Sequence, residues 1–140
     1  MTRTMLVALT VLLSACSLTP PSGSEASASA PVAAAAPVRQ VDVAALQADL
    51  DRGAVPQLID VRTPAEFAEG HVPGAKNIPL DQLDARLSEL GSAEAEVYVI
   101  CRSGARSMRA SDTLAERGLR PVNVRGGTLA WSSAGFAVER

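Results

Sequence analysis

From residue 38 onwards the hydrophobic pattern alternates between short apolar runs and stretches with helical spacing. "VRQV" reads as a short extended piece. In the helix that follows, Asp42 is the N-cap, Val43, Leu46 and Leu50 share one face, and Gly53 is the stop. "PQLIDVR" is a brief apolar run suited to a buried parallel strand. "TPAEFAEGH" opens a helix with Thr63 as cap, Pro64 in the first helical position and Glu66 completing a capping box. Pro73-Gly74 suits a type II turn, and the strand after it is of edge type, broken by Pro79. "DQLDARLSELG" predicts an amphipathic helix with Leu83, Leu87 and Leu90 inward. "EVYVIC" is the clearest strand and ends at Cys101, after which a helix runs to Gly118. "RPVNVRGG" gives a last strand and glycine turn, and "TLAWSSAGF" a short terminal helix with Trp131 inward. Strands alternating with helices predict an α/β domain built on a parallel sheet. Ligands of such sheets sit beyond the carboxyl ends of the strands, and Cys101 falls at one of those ends.

Before residue 38 the rhythm is absent. "MTRTMLVALTVLLSAC" has a basic start at Arg3, an apolar run from Met5 to Leu13, and small residues before Cys16. The run falls well short of the roughly 20 residues that span a bilayer, so residues 1–15 read as a secretory leader. "LSAC" resembles the bacterial lipobox, in which the cysteine becomes a lipidated N-terminus. Cys16 is thus a candidate acylation site, and several acyl chains together anchor firmly where one does not. Ser17 follows the cysteine where an aspartate would suggest inner-membrane retention. In a Gram-negative cell this points to the periplasmic face of the outer membrane. Residues 16–37 are rich in Ala, Ser and Pro and lack core-forming side chains, the composition of a disordered tether. Residues 38–140 then form the single domain that a chain of 140 residues accommodates.

With Cys16 acylated, Cys101 is the one thiol left, which makes an internal disulfide impossible and a reactive thiol worth considering. The plainer account is a buried, inert cysteine. "CRSGARS" argues against it. A cysteine, four residues and an arginine, placed between a strand and a helix, form a loop able to hold an anion against a thiolate. Both protein tyrosine phosphatases and sulfurtransferases use such loops. Inward-facing amides of residues 102–106, the positive end of the next helix, and the charges of Arg102 and Arg106 would each lower the thiol pKa. Gly104 would let the loop turn tightly without a Cβ in the way. The net charge of −2 hides an asymmetry: residues 102–125 carry six arginines against Asp112 and Glu116, while residues 42–100 carry eleven acids against four bases. Positive charge gathered around one loop favours an anionic substrate. For Arg117 and Arg120, a solvated helix face is explanation enough.

Three blocks, "DVRTPAEFAEGHVPGAKNIPL", "VYVICRSGARS" and "VNVRGGTLAWSSAGF", resemble the rhodanese homology domain in the same order and across nearly the whole globular part. The resemblance implies a rhodanese-like α/β fold with a five-stranded parallel sheet flanked by helices. It also implies a persulfide on Cys101, loaded by thiosulfate or a similar small anionic donor and unloaded to cyanide or a thiol. The phosphatase signature has five residues between cysteine and arginine; here there are four, Arg102, Ser103, Gly104 and Ala105, a cradle sized for sulfur rather than phosphate. No general acid for a leaving phosphoester oxygen is evident in the sequence. The expected roles are nucleophile for Cys101, anion cradle for the amides of 102–106, sulfonate contact for Arg102 and loop closure for Arg106. No metal, organic cofactor or nucleic acid is implied. A partner protein as sulfur acceptor is the alternative, which would make the chain a persulfide carrier. The resemblance further suggests that Arg62 pairs with Glu66; Asp60, Arg62, Glu66, His71 and Trp131 read as architectural.

Overall fold

The computed structural model describes residues 37–140. The expected leader, the acylated Cys16 and the tether up to residue 36 lie outside the described residues. Five strands, β1 (Arg39–Val41), β2 (Gln57–Asp60), β3 (Lys76–Asn77), β4 (Glu96–Ile100) and β5 (Arg120–Val124), pair in the order β1-β5-β4-β2-β3. Every pairing is parallel, and the helices are α1 (Val43–Asp51), α2 (Pro64–Ala68), α3 (Ala105–Glu116) and α4 (Gly127–Ser133). Among the described residues no helix is long and apolar enough to cross a membrane.

The period of two along each strand divides the core between the faces of the sheet. Tyr98 and Ile100 of β4 join Leu46, Leu58, Val122, Val124 and Trp131 in one buried cluster. Val97, Val99 and Cys101 join Ile59, Val61, Ile78, Ala110 and Leu114 in the other. Each fully buried aliphatic side chain contributes about 1.5–3 kcal/mol, so this alternation fixes the register of β4, and with it the face on which Cys101 emerges.

Local signals account for most element boundaries. Asp42 caps α1 by accepting from the Ala45 amide at 2.8 Å, and Thr63 and Glu66 form the reciprocal capping box of α2. The Ala75 amide donates to Val72 O across Pro73 and Gly74, and Gly74 has φ of 76°, as a type II turn requires.

One expectation fails. The predicted amphipathic helix over 81–91 is a pair of 3-10 turns, Leu80–Gln82 and Asp84–Glu89, broken at Arg86, whose φ and ψ are −114° and 15°. The leucines at 80, 83, 87 and 90 stand three, four and three apart, a spacing that fits 3-10 turns as well as an α-helix. Arg86 fills the break, donating to Asn77 O at 3.2 Å and pairing with Glu89. Leu83 and Leu90 are buried as expected, by a different backbone.

Candidate functional site

Cys101 follows the last residue of the central strand β4, and the chain turns at once into α3. Gly104 makes the turn with φ of 103°, a left-handed conformation that side chains disfavour. Its amide lies 3.1 Å from Cys101 Sγ.

A second loop holds the first one open. The Thr128 amide donates to Cys101 O at 2.8 Å and the Leu129 amide to Arg102 O at 3.0 Å. In a planar trans peptide the N–H points opposite to the C=O. With both carbonyls drawn outward onto the start of α4, the amides of Arg102 and Ser103 are turned the other way, into the loop. Gly127 makes this contact possible: a Cβ there would stand 2.2 Å from Cys101 O.

Cys101 is buried, only 1% exposed. Burial alone pushes a thiol pKa up, as it would for an inert core cysteine. Here the Ser107 hydroxyl and the amides of Ser107, Gly104 and Ser103 outweigh it, and the thiol is held below its ordinary range. The expected donor ring ended at residue 106, so Ser107 is an addition. Its signal was present as the last letter of "CRSGARS", but nothing in the sequence shows that α3 begins early enough to turn this residue back towards the sulfur.

Behind the loop, Ser107 Oγ lies 2.7 Å from Asn123 Oδ1 of β5 and 3.1 Å from Gly104 O. Arg106 is committed to α2: its guanidinium reaches both Glu66 oxygens, at 2.8 and 2.6 Å. That pair holds the Glu66 carboxyl down at about 2, chiefly through the Arg106 hydrogen bonds. The expected pairing of Arg62 with Glu66 is therefore corrected. Arg62 instead binds Asp60, two residues back, with Nε 2.8 Å from Oδ2, and donates to Gly70 O at 2.9 Å. Glu66 is engaged by Arg106, and its Oε2 also accepts from the Thr63 amide in the capping box. His71 is architectural: its ring stacks on Phe67, and its backbone pairs with Glu139 in an isolated bridge. Trp131 is core, its indole donating to Ala137 O at 2.8 Å.

Two depressions of about 490 Å³ flank the loop, one walled by Arg102, Leu129 and Val138, the other by Arg106, Arg109 and Thr113. Among the described residues Arg102 and Arg109 have no carboxylate partner, although Glu69 shares the depression of Arg102 and Asp81 that of Arg109. Among the described residues no group of His, Cys, Asp and Glu side chains is placed to hold a metal ion. The arrangement is therefore a recessed sulfur, stabilised as an anion by peptide dipoles and a hydroxyl, with two unpaired arginines in the depressions beside its loop.

Known proteins are similar to this chain in sequence and in fold. The model of the rhodanese-like domain matches residues 42–134. A sulfurtransferase of Allochromatium vinosum is 42% identical over 82 residues, covering 58% of this chain and 76% of its own length. A putative sulfurtransferase of Bacillus subtilis is 37% identical over 94 residues, covering 67% of this chain and 90% of its own. The crystal structure of a rhodanese-like domain protein from Staphylococcus aureus superposes with a TM-score of 0.66 at 31% identity, over 74% of this chain and all of that one. The family match spans about two thirds of the chain and the five-stranded parallel sheet agrees with it; the chain belongs to the rhodanese-like family and to its chemistry of sulfur transfer.

Proposed function

We propose that this protein is a lipid-anchored sulfurtransferase of the cell envelope that takes a sulfane sulfur from thiosulfate, or a donor like it, through a persulfide on Cys101. The observation that carries the reading is the geometry at a buried sulfur: the Gly104 amide lies 3.1 Å from Cys101 Sγ while the Cys101 and Arg102 carbonyls are drawn away onto α4, an arrangement of donors that serves an anion.

The thiolate of Cys101 attacks the outer sulfur of thiosulfate. The new S–S bond forms as the sulfur–sulfite bond breaks, and sulfite leaves with the electron pair. The persulfide anion stays within reach of the donors that held the thiolate, as in an oxyanion hole. An acceptor such as cyanide then attacks the outer sulfur, thiocyanate departs, and the thiolate is restored without a proton transfer. Because Arg106 is held on Glu66, the sulfonate of the donor falls to Arg102, which is exposed and has no carboxylate partner. The narrow Cys-to-Arg spacing favours sulfur over a phosphoryl group.

A second reading is favoured by one feature. Leu129 and Val138 are the large apolar side chains most exposed among the described residues, and both wall the depression that holds Arg102. Such a wall suits a protein acceptor, which would make the chain a persulfide carrier.

Incubating the full chain with thiosulfate is expected to add one sulfur to Cys101 in the intact mass, and Cys101→Ser to abolish the addition. Thiocyanate production from cyanide at steady turnover supports the enzyme; a persulfide released only to a protein thiol supports the carrier. Failure to load, or aryl phosphate hydrolysis that depends on Cys101, overturns both. For the anchor, Cys16→Ser is expected to release the protein from membranes, and continued attachment counts against acylation.

A further inference from the structure

The basic side chains of the domain divide by whether a carboxylate answers them. Arg39 at the start of β1, Lys76 at the start of β3 and Arg117 at the end of α3 each meet one. Beside the cysteine loop the pairing lapses. Arg102, Arg125 and Arg140 are exposed and, among the described residues, meet none. Arg102 belongs to the loop. Arg125 follows β5 directly, and a Cβ on Gly104 would lie 3.7 Å from its Cα. Arg140 lines the same depression as Arg102 and donates from Nε to Glu69 O at 3.2 Å. Of the two glutamates in that depression, Glu66 is taken by Arg106 and Glu69 has no cation of its own. Arg120, at the start of β5, also lacks a carboxylate, but it donates to Glu94 O.

The same face carries apolar surface. Leu129 is 50% exposed and Val138 39%, and both wall the depression that holds Arg102 and Arg140. Neither is loosely placed. The Leu129 amide is fixed on Arg102 O at 3.0 Å. The segment of Val138 is tied on both sides, by the Trp131 indole on Ala137 O and by the two backbone bonds between His71 and Glu139, each 2.9 Å. Ordered apolar side chains set among unpaired arginines have the composition of a protein–protein interface, in which arginine is enriched and the rim is polar. An anionic lipid surface also attracts such a patch, but it would close the opening through which sulfur must leave.

We propose that this face docks an acidic protein, one whose acceptor cysteine is flanked by aspartate or glutamate, and that Arg125 and Arg140 select it. The inference rests on the reading of Cys101 as a persulfide site and names the kind of acceptor it serves. The acceptor thiol gives its proton to solvent, and its thiolate attacks the outer sulfur of the Cys101 persulfide. A new S–S bond forms as the old one breaks, the electron pair returns to Cys101, and the partner leaves as a persulfide. Sulfite has departed by then, so Arg102 is free to meet a carboxylate of the partner as well. Charges on the rim of an interface act mainly on the rate of encounter, and salt screens them.

The test uses the full chain, loaded with thiosulfate, and synthetic peptides that differ only in having glutamate, glutamine or lysine on both sides of a single cysteine. Transfer is followed as persulfide on the peptide by mass spectrometry. Each rate is divided by that peptide's own rate with a small uncharged disulfide, which removes differences in thiolate content. At low salt the glutamate peptide is expected to outrun the glutamine peptide by about fivefold, with the lysine peptide behind both. The lead is expected to vanish near 1 M salt, where the Debye length is about 3 Å, a measurement that needs no variant. It is expected to shrink by about two- to threefold in Arg125→Gln and again in Arg140→Gln, both exposed positions. A glutamate peptide that gains nothing over glutamine, or a lead that survives both substitutions, overturns the proposal. So does weaker attachment of the two variants to phosphatidylglycerol vesicles, which would assign the arginines to a membrane. If thiosulfate does not load Cys101, the sulfur reading fails by itself, and docking is read on the unloaded chain. There the glutamate peptide is expected to shift the Arg125 and Leu129 amide resonances more than the glutamine peptide does, and equal shifts overturn the proposal.

Discussion

Two carboxylate–arginine pairs flank the start of α2, and they differ in what surrounds them. Asp60 and Arg62 are sealed, with side chains 0% and 6% exposed, while Glu66 and Arg106 are 28% and 33% exposed. The sealed pair sits within a closed set of hydrogen bonds. Asp60 also accepts from the Arg62 amide at 3.0 Å, Arg62 reaches Gly70 O, and Asn77 donates to the carbonyls of both residues. These contacts fasten the end of β2 to the exit of α2 and to β3. The open pair joins α2 to the first turn of α3, next to the cysteine loop. Two pairs with the same chemistry therefore do different work. One is part of the core; the other is a joint at the edge of the site.

The largest expected effect comes from breaking the sealed pair. Arg62→Met removes the cation and leaves Asp60 as a buried carboxylate without its partner. Orphaning one half of a buried pair costs about 3–5 kcal/mol. Urea unfolding is expected to show a loss of that size with little change in the slope. If the loss is below about 1 kcal/mol, Asp60 is solvated on its own and the contrast between the pairs disappears.

The contrast also shows what a sequence can disclose. Signals that act over a few residues were legible: Thr63, Pro64 and Glu66 open α2, Gly74 makes its turn, and the apolar alternation of "EVYVIC" places the cysteine at the carboxyl end of a strand. The loop itself stood out because its residues are consecutive. Contacts between distant segments were not legible. Glu66 and Arg106 are 40 positions apart, and nothing local says that the capping glutamate has a second employment. The pairing of Ser107 with Asn123, and the packing of Gly127 against the Cys101 carbonyl, need the parallel order of β4 and β5 and the seating of α4 before they can be seen. Between 80 and 90 the failure was of another kind. Periods of 3.0 and 3.6 are hard to separate across one or two turns, and the break at Arg86 is decided by a contact with Asn77 O.

Breaking the open pair is expected to have a smaller effect on stability and to shift the thiol, read as the pH midpoint of Cys101 alkylation by iodoacetamide. Glu66→Gln removes a bidentate acceptor that is partly wet, a loss of about 1 kcal/mol. It also removes a negative charge from the neighbourhood of Cys101 and leaves the Arg106 guanidinium, which acts on the sulfur, without its partner. The alkylation midpoint of Cys101 is then expected to fall by a few tenths of a unit. A rise would mean that the inward amides depend on this joint for their direction, and that the open pair belongs to the site more closely than its exposure suggests.

The smallest expected effect is seen in acid. The Glu66 carboxyl is held at about 2 in the folded protein, below the ordinary value of 4.5, chiefly by its hydrogen bonds with Arg106. A carboxylate whose pKa is depressed by folding lends stability above its unfolded value and loses it as pH falls through the folded one. The Glu66 contribution is thus intact above pH 4.5 and lost between that value and about 2. Solvent screening of a partly exposed group keeps the loss to a fraction of a kcal/mol up to about 1. Urea titrations of wild type and Glu66→Gln at a series of pH values are expected to converge as pH falls through this window and to differ by a constant amount above it. The convergence isolates the open pair, because Glu66→Gln leaves every other carboxylate in place and their acid losses cancel in the difference. A gap that persists to pH 2 would show that the variant is weakened by the shape of its amide in the capping box of α2, not by loss of the charge that meets Arg106.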